Sequence, residues 1–279
     1  MATRLGLGLP QTRRFDLGRD VPDVARAAER TGYDSLWVFE RALFPEPATQ
    51  GLYGIEGLPW PESYRGVAEP LVTLTLAAAA TERAELGTSV LVAPLHVPFQ
   101  LARTLATLDA AAGGRVVAGF GTGWSHDEYA AASIRPFAER GAVLDELLEV
   151  CRAVWGPDPV AHEGPTTRIA PSAVGPKPAR PIPVLLAAAG PRARRRLVDH
   201  ADGWMPVGAG AAPWPGSGGR CASWPPSGAA PGRCARCCAP TPAGTRPRSA
   251  PRSGPRSTAA PARSPRIWRR TRRPGWRRS

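Results

Sequence analysis

The sequence predicts an α/β protein, a (β/α)8 barrel of which about six β/α units are present. Three observations carry this. Six short apolar segments follow one another without polar alternation, as strands buried on both faces do. A helix-forming stretch separates most successive pairs, and hairpin signals are few, which points to parallel strands joined by crossovers. A doubly wound sheet, built from the same units, is the second choice.

Arg4 to Leu9 is the first strand. Asp20 is placed as the cap of the first helix, because Val21, Val24, Ala25 and Ala28 fall at i, i+3, i+4 and i+7. Gly32 stops that helix, and Ser35 to Phe39 is the second strand. Arg41 to Glu69 is a loop rich in proline, glycine and aromatic residues; loops of this length inside a domain are usually lids or disordered. Pro70 then opens the second helix. Strand three runs from Leu86 to Val92, a turn follows at Pro94, and Pro98 opens a helix with Leu101, Leu105 and Leu108 on one face. Gly113 and Gly114 end it. Val116 to Phe120 is strand four and runs into the glycine-punctuated GFGTGW. Phe137 to Trp155 is a helix burying Leu144, Leu147, Leu148 and Cys151, stopped by Gly156 and Pro157. Val160 to Pro181 is an excursion of turn chemistry, with a hairpin as one reading. Ile182 to Ala187 is strand five, Pro191 opens a helix, and Gly203 to Val207 is strand six.

The net charge of +13 conceals two different polymers. Of the 36 basic residues, 15 are arginines between Ala211 and Ser279, a stretch without lysine, aspartate or glutamate. The preceding 210 residues are left with 21 basic against 23 acidic groups, a net of −2. Residues 1–210 are therefore read as the barrel domain and 211–279 as a low-complexity tail too poor in apolar surface to form a core. Four of the five cysteines lie in the tail, so no disulfide framework is expected in the domain. Cys234, Cys237 and Cys238 lack a second ligand pair, and no metal site is expected. With no signal-peptide pattern, and no run near the roughly 18 apolar residues of a membrane helix, the domain is expected to be soluble and cytoplasmic.

The tail composition is that of GC-rich codons read out of frame. Back-translating Pro213 to Gly228 and reading two nucleotides later permits LARVGGPLRELAAERG, an amphipathic helix. The same offset on Pro265 to Ser279 permits EDLAAYAAAGVEEV. A frameshift near Gly208 to Pro213 is therefore expected, with the last two β/α units absent.

Four stretches resemble the bacterial-luciferase-like superfamily: GYDSLWVFER (Gly32 to Arg41), LGTSVLVAP (Leu86 to Pro94), GGRVVAGFGTGW (Gly113 to Trp124) and IPVLLAAAGPRARRRLVDHADGWMP (Ile182 to Pro206). The TSVL and GTG pair is most similar to the branch that uses the deazaflavin coenzyme F-420. The resemblance covers residues 4 to 208 and implies a (β/α)8 TIM barrel of the luciferase-like type.

In a parallel barrel the site lies at the C-terminal ends of the strands. The resemblance implies a non-prolyl cis peptide between Ser89 and Val90 beneath the coenzyme ring; spacing alone favours an ordinary trans strand. Gly119, Gly121 and Gly123 lack the spacing of a dinucleotide fingerprint, and their content is steric, because glycines at a strand end let a flat ring approach the backbone. By resemblance Trp124 and Asp127 stand at the ring edge, although a tryptophan after a strand is as often a packing residue. Ala188, Ala189 and Gly190 precede the helix opened by Pro191, so free N–H groups and the positive helix end point at a phosphate. Arg192, Arg194, Arg195 and Arg196 add charge there. Glu40 and Arg41 stand where the best-known F-420 relatives carry an Asp-His pair, which leaves the acid or base role open. Glu40 and Asp127 are the catalytic candidates, and His96 reads as a surface or supporting residue.

The function expected is hydride transfer between coenzyme F-420 and a small organic substrate held under the Arg41 to Glu69 loop. An FMN-dependent monooxygenase of the same superfamily is the near alternative. Non-specific nucleic-acid binding through the basic tail, or an inactive truncated product, are the alternatives of another class. A homodimer is left open.

Overall fold

Parallel pairing in strict chain order organises the protein, as described for residues 4–133 and 135–206 by a computed structural model. The strands are β1 (Gly6–Gly8), β2 (Ser35–Val38), β3 (Glu85–Thr88), β4 (Leu91–Val92), β5 (Val116–Gly121), β6 (Val160–Glu163), β7 (Arg168–Ser172), β8 (Val184–Leu186) and β9 (Gly203–Trp204). The helices are α1 (Leu17–Arg30), α2 (Pro70–Ala80), α3 (Pro98–Ala111), α4 (His126–Ala132), α5 (Arg140–Trp155) and α6 (Pro191–His200). The main sheet runs β1-β2-β3-β5-β8-β9, parallel throughout, with β4 also beside β5. A doubly wound sheet reverses its order part-way; this one does not, so that alternative is set aside. Parallel strands in unreversed order, with helices between them, match the wall of a (β/α) barrel. Strands β6 and β7 form an antiparallel hairpin inserted before β8, the reading given to Val160–Pro181. No helix among the described residues is long and apolar enough to cross a membrane. The tail, and what was expected of it, lies outside the described residues.

Local chemistry accounts for the element ends, with three corrections. Helix α1 starts one turn before the expected cap: Asp16 accepts from Arg19 N at 3.2 Å, and Asp20 reaches back to accept from Asp16 N at 2.9 Å. Strand three is not continuous, because a cis peptide between Ser89 and Val90 divides β3 from β4. At the break the Thr88 hydroxyl donates to Gly119 O and accepts from Gly119 N, both at 2.8 Å, so a side chain replaces the missing ladder bonds. The long helix begins at Arg140, since Phe137–Glu139 after Pro136 forms a single 3-10 turn.

The core lies between the sheet and its helices. Leu36, Val38, Leu86, Ala118, Phe120 and Leu186 meet Val21, Leu74, Leu105, Leu144 and Leu147 in one cluster. On the other face Trp37 lies over Gly6 and Gly87, where any Cβ would strike its ring, and donates from Nε1 to Ser35 Oγ at 2.8 Å.

The N-terminal ends of the strands are tied by charges bonded to backbone. Asp34 accepts from Leu5 N at 2.7 Å and Asp202 from Val184 N at 2.8 Å. Asp109, fully buried, accepts from Val116 N at 3.0 Å and Ala179 N at 2.9 Å. Glu29 takes the N–H groups of Glu82, Arg83 and Ala84. Arg115 gathers the carbonyls of Ala78, Thr81, Ala84 and Ala112.

Candidate active site

At the opposite, C-terminal ends of β2, β4 and β5 the charged side chains meet one another. Glu40, two residues past the end of β2, is buried; its Oε2 accepts from Val92 N at 2.5 Å, and its Oε1 stands 2.8 Å from His96 Nε2. Arg41 Nη1 lies 3.0 Å from Glu128 Oε2, with the two side chains 9% and 1% exposed. Glu128 Oε1 also accepts from Ala42 N at 2.8 Å. The two backbone bonds are well formed, whereas the Arg41–Glu128 and His96–Glu40 pairs are close but poorly directed, and Arg41 Nη1 and His96 Nε2 are buried without a well-aligned hydrogen bond. Burial pushes the Glu128 carboxyl up, against the opposing pull of Arg41. The cluster holds a buried carboxylate beside an imidazole and a second carboxylate already matched to a cation, which is the equipment for moving a proton.

The Arg41–Glu69 segment covers these strand ends with aromatic rings. Trp60 and Trp124 have centroids 4.9 Å apart, Tyr53 lies tilted against Trp124 at 5.5 Å, and the Arg41 guanidinium lies 5.1 Å from the Trp124 ring centre. Gln50 donates from Nε2 to Trp124 O at 2.7 Å, and Trp60 Nε1 donates to Gln50 O at 3.0 Å. Tyr53 has φ 57°, a left-handed conformation uncommon outside glycine, and its side chain is half exposed. Burial and the adjoining Tyr53 hydroxyl push the Tyr64 hydroxyl up to about 12. Both arginines of the segment are engaged, Arg41 with Glu128 and Arg65 with Glu46 and Glu62.

Ser89 is exposed where β3 breaks, and its N–H donates to Val38 O at 2.6 Å. The glycine run has an internal steric reason: a Cβ on Gly119 would strike Thr88 O, on Gly121 would stand 2.8 Å from Val90 Cγ2, and on Gly123 2.6 Å from Val92 Cγ1. The closest neighbours of these glycines are thus side chains and backbone of the adjacent strand. At the C-terminal end of β8 Ala188 is buried, Ala189 and Gly190 are exposed, and Gly190 has φ 82° with open space where a Cβ would stand. Helix α6 begins there without a side-chain cap. An uncapped helix start beside small exposed residues fits a phosphate, and an exposed strand break between Ser89 and Val90 fits the face of a flat ring. Among the described residues no group of three His, Cys, Asp or Glu is placed to hold a metal ion.

The two catalytic candidates part company. Glu40 joins the buried cluster, whereas Asp127 holds the covering loop, accepting from Thr49 N at 3.1 Å and Thr49 Oγ1 at 3.0 Å. The buried acid at this end of β5 is Glu128. The signal that could have found it is Ser125, which caps the short, unforeseen helix α4 by accepting from Glu128 N at 3.2 Å and so turns Glu128 inward. His96, read as a surface or supporting residue, contacts Glu40 and is only 20% exposed.

Comparison with known proteins adds the following. The sequence profile of the luciferase-like monooxygenase family matches residues 4–233, running past the boundary expected at residue 210. An uncharacterized protein of Mycobacterium tuberculosis (strain ATCC 25618 / H37Rv) is 36% identical over 194 residues, 68% of either chain. An F-420-dependent glucose-6-phosphate dehydrogenase of Kineococcus radiotolerans is 31% identical over 185 residues, 66% of this chain and 50% of its own. The crystal structure of a monooxygenase from Streptomyces bottropensis superposes with TM-score 0.58 at 25% identity, covering 70% of this chain and 57% of the other. This chain thus spans between 50% and 68% of the length of these relatives.

Proposed function

The chain belongs to the luciferase-like monooxygenase family, and from that premise we propose that it is an oxidoreductase moving a hydride between coenzyme F-420 and a small, uncharged organic substrate. The observation that carries this reading is the buried Glu40 carboxylate, set beside His96 at the C-terminal ends of the strands and under an aromatic cover. When bound, the deazaflavin supplies the hydride acceptor or donor. Ser89 and Val90 would support its ring, Gly121, Gly123 and Trp124 would border it, and Ala188, Ala189 and Gly190 would seat its phosphate arm. Glu40 would take the hydroxyl proton as an alcohol becomes a carbonyl compound, or return it in the reverse direction. Asp127 would act indirectly, by holding Thr49 of the cover in place.

The substrate is proposed as uncharged because both arginines of the cover are already paired with glutamates. That segment carries two arginines against four glutamates, Glu46, Glu56, Glu62 and Glu69, so it disfavours an anion. The relative from Kineococcus, named for glucose 6-phosphate, would differ on this point.

The test is ligand-dependent stability of the full chain. Saturating F-420 should raise the melting temperature, and Gly190→Val should weaken that binding at least about tenfold by filling the phosphate seat. The family's description as monooxygenases favours FMN as the second reading. A rise with FMN and none with F-420 would decide for it. The tail composition supports the further proposal that the residues after Gly208 to Pro213 are read in a shifted frame. Resequencing the coding region tests it. If the frame holds, salt-dependent nucleic-acid binding by the 15 tail arginines becomes the function to measure.

A further inference from the structure

We propose that His96 is a proton-relay residue joining Glu40 to a solvent groove on the outside of the sheet, between α2 and α3. The inference rests on the reaction proposed above and deepens it by giving the proton an exit.

Three observations converge. Glu40 is enclosed: one oxygen holds Val92 N, the other faces His96 Nε2 at 2.8 Å, and the side chain is 9% exposed. A proton accepted by Glu40 therefore finds His96 as its neighbour and little water. His96 follows the single turn Ala93–Leu95 and precedes α3, so it stands where the sheet meets the outer layer. Its ring lines a groove of about 310 Å³ together with Glu69, Val72, Thr75, Val97 and Gln100. Nε2 is thus sealed against the carboxylate, while the side chain, 20% exposed, borders the groove.

The other acid of the cluster has no comparable route. Glu128 is held by Arg41 and by Ala42 N, and is 1% exposed. The charged groups facing Glu40 are His96, Arg41, whose Nε donates to Glu40 O at 2.6 Å, and Glu128. Facing His96 are Glu40 and, in the groove, Glu69, which is occupied in capping α2 by accepting from Val72 N at 2.6 Å. The balance is simple. The coenzyme, when bound, would supply the hydride acceptor; Glu40 would take the substrate O–H proton and hand it to His96 Nε2, and the imidazolium would release a proton to water in the groove, which returns both side chains to their starting charges. Charge leaves the buried site without opening the aromatic cover. His96 touches Glu40 and not the substrate, so it is a positioning residue.

Two measurements on the full chain decide this. In 15N-labelled protein without coenzyme, the ring nitrogens of His96, assigned by their loss in His96→Gln, should report an imidazole engaged through Nε2, and Glu40→Gln should move that signature. Identical His96 ring resonances in wild type and Glu40→Gln would overturn the relay. In the coenzyme-loaded enzyme, His96→Gly should lower kcat at least about tenfold, leave KM and coenzyme affinity near wild type, and recover most of the loss with imidazole, which the groove can admit. Loss without recovery by imidazole, at unchanged coenzyme affinity, would overturn it as well. Failure of F-420 to bind would show separately in the melting curves and would remove the reaction proposed above, while the nitrogen resonances still decide the Glu40–His96 link.

Discussion

The two ends of the same parallel sheet differ in whether their charges also face one another. At the N-terminal ends, Glu29, Asp34, Asp109, Asp202 and Arg115 all bond to backbone groups, which are fixed in number and direction by the chain itself. At the C-terminal ends, Glu40, Arg41, His96 and Glu128 face one another, with Arg41 Nη1 and His96 Nε2 poorly aligned. A charge locked on backbone N–H or C=O groups stabilises one conformation; a charge facing another titratable side chain can change partner or lose a proton. The difference teaches where stability and chemistry are separated in this fold.

Breaking the upper end should cost activity and little stability. Glu40→Gln keeps an oxygen for Val92 N but cannot take a proton, so turnover should fall about 100-fold or more while the melting temperature stays near wild type. Equal losses of both would make Glu40 a structural residue and erase the contrast.

Breaking the lower end should do the reverse. Arg115→Ala strands several inward carbonyls, and burial already pushes this guanidinium down, so the site is partly dry. A loss of about 3 kcal/mol is expected in urea unfolding, with coenzyme affinity retained in the folded fraction.

Acid sharpens the comparison. Burial alone would raise the Glu29 carboxyl, but the N–H groups of Ala84, Arg83 and Glu82 outweigh it and hold the group below its ordinary 4.5. Glu146 behaves alike through Thr166 and Thr167. A lowered folded value means stability that is present above pH 4.5 and lost as pH falls through the depressed folded value. The melting temperature should therefore drop below pH 4.5, and Glu29→Gln should flatten part of that slope. An unchanged slope would mean that Glu29 is as weakly bound in its place as the upper charges.

The smallest effect is expected in the cover. Tyr53→Gly relieves a left-handed residue, worth about 1 kcal/mol, and offsets the lost ring contact with Trp124. The melting temperature should hardly move, whereas protease cleavage within residues 41–69 should quicken. A clear loss of stability would place this loop with the rigid end.

Much of this was legible in the sequence because it is local. Unalternating apolar runs, Pro70, Pro98 and Pro191 at helix starts, and Gly113–Gly114 with positive φ gave six strands and their order. The turn between β8 and α6 was legible for the same reason, since Ala188, Ala189, Gly190 and Pro191 are consecutive. The break at Ser89–Val90 followed only from family resemblance; an apolar run looks the same whether or not one peptide is cis.

What the sequence determined by itself, then, was the succession of elements and the end of the sheet at which a site would lie, because each depends on neighbours within a few residues. The tertiary structure alone decided which charges meet. Glu128 reaches Ala42 across 86 positions and Thr88 reaches Gly119 across 31. His96 finds Glu40 only because parallel pairing brings the ends of β2 and β4 into the same layer. No periodicity encodes such encounters: they arise when burial removes water from two distant polar groups and leaves them each other as partners.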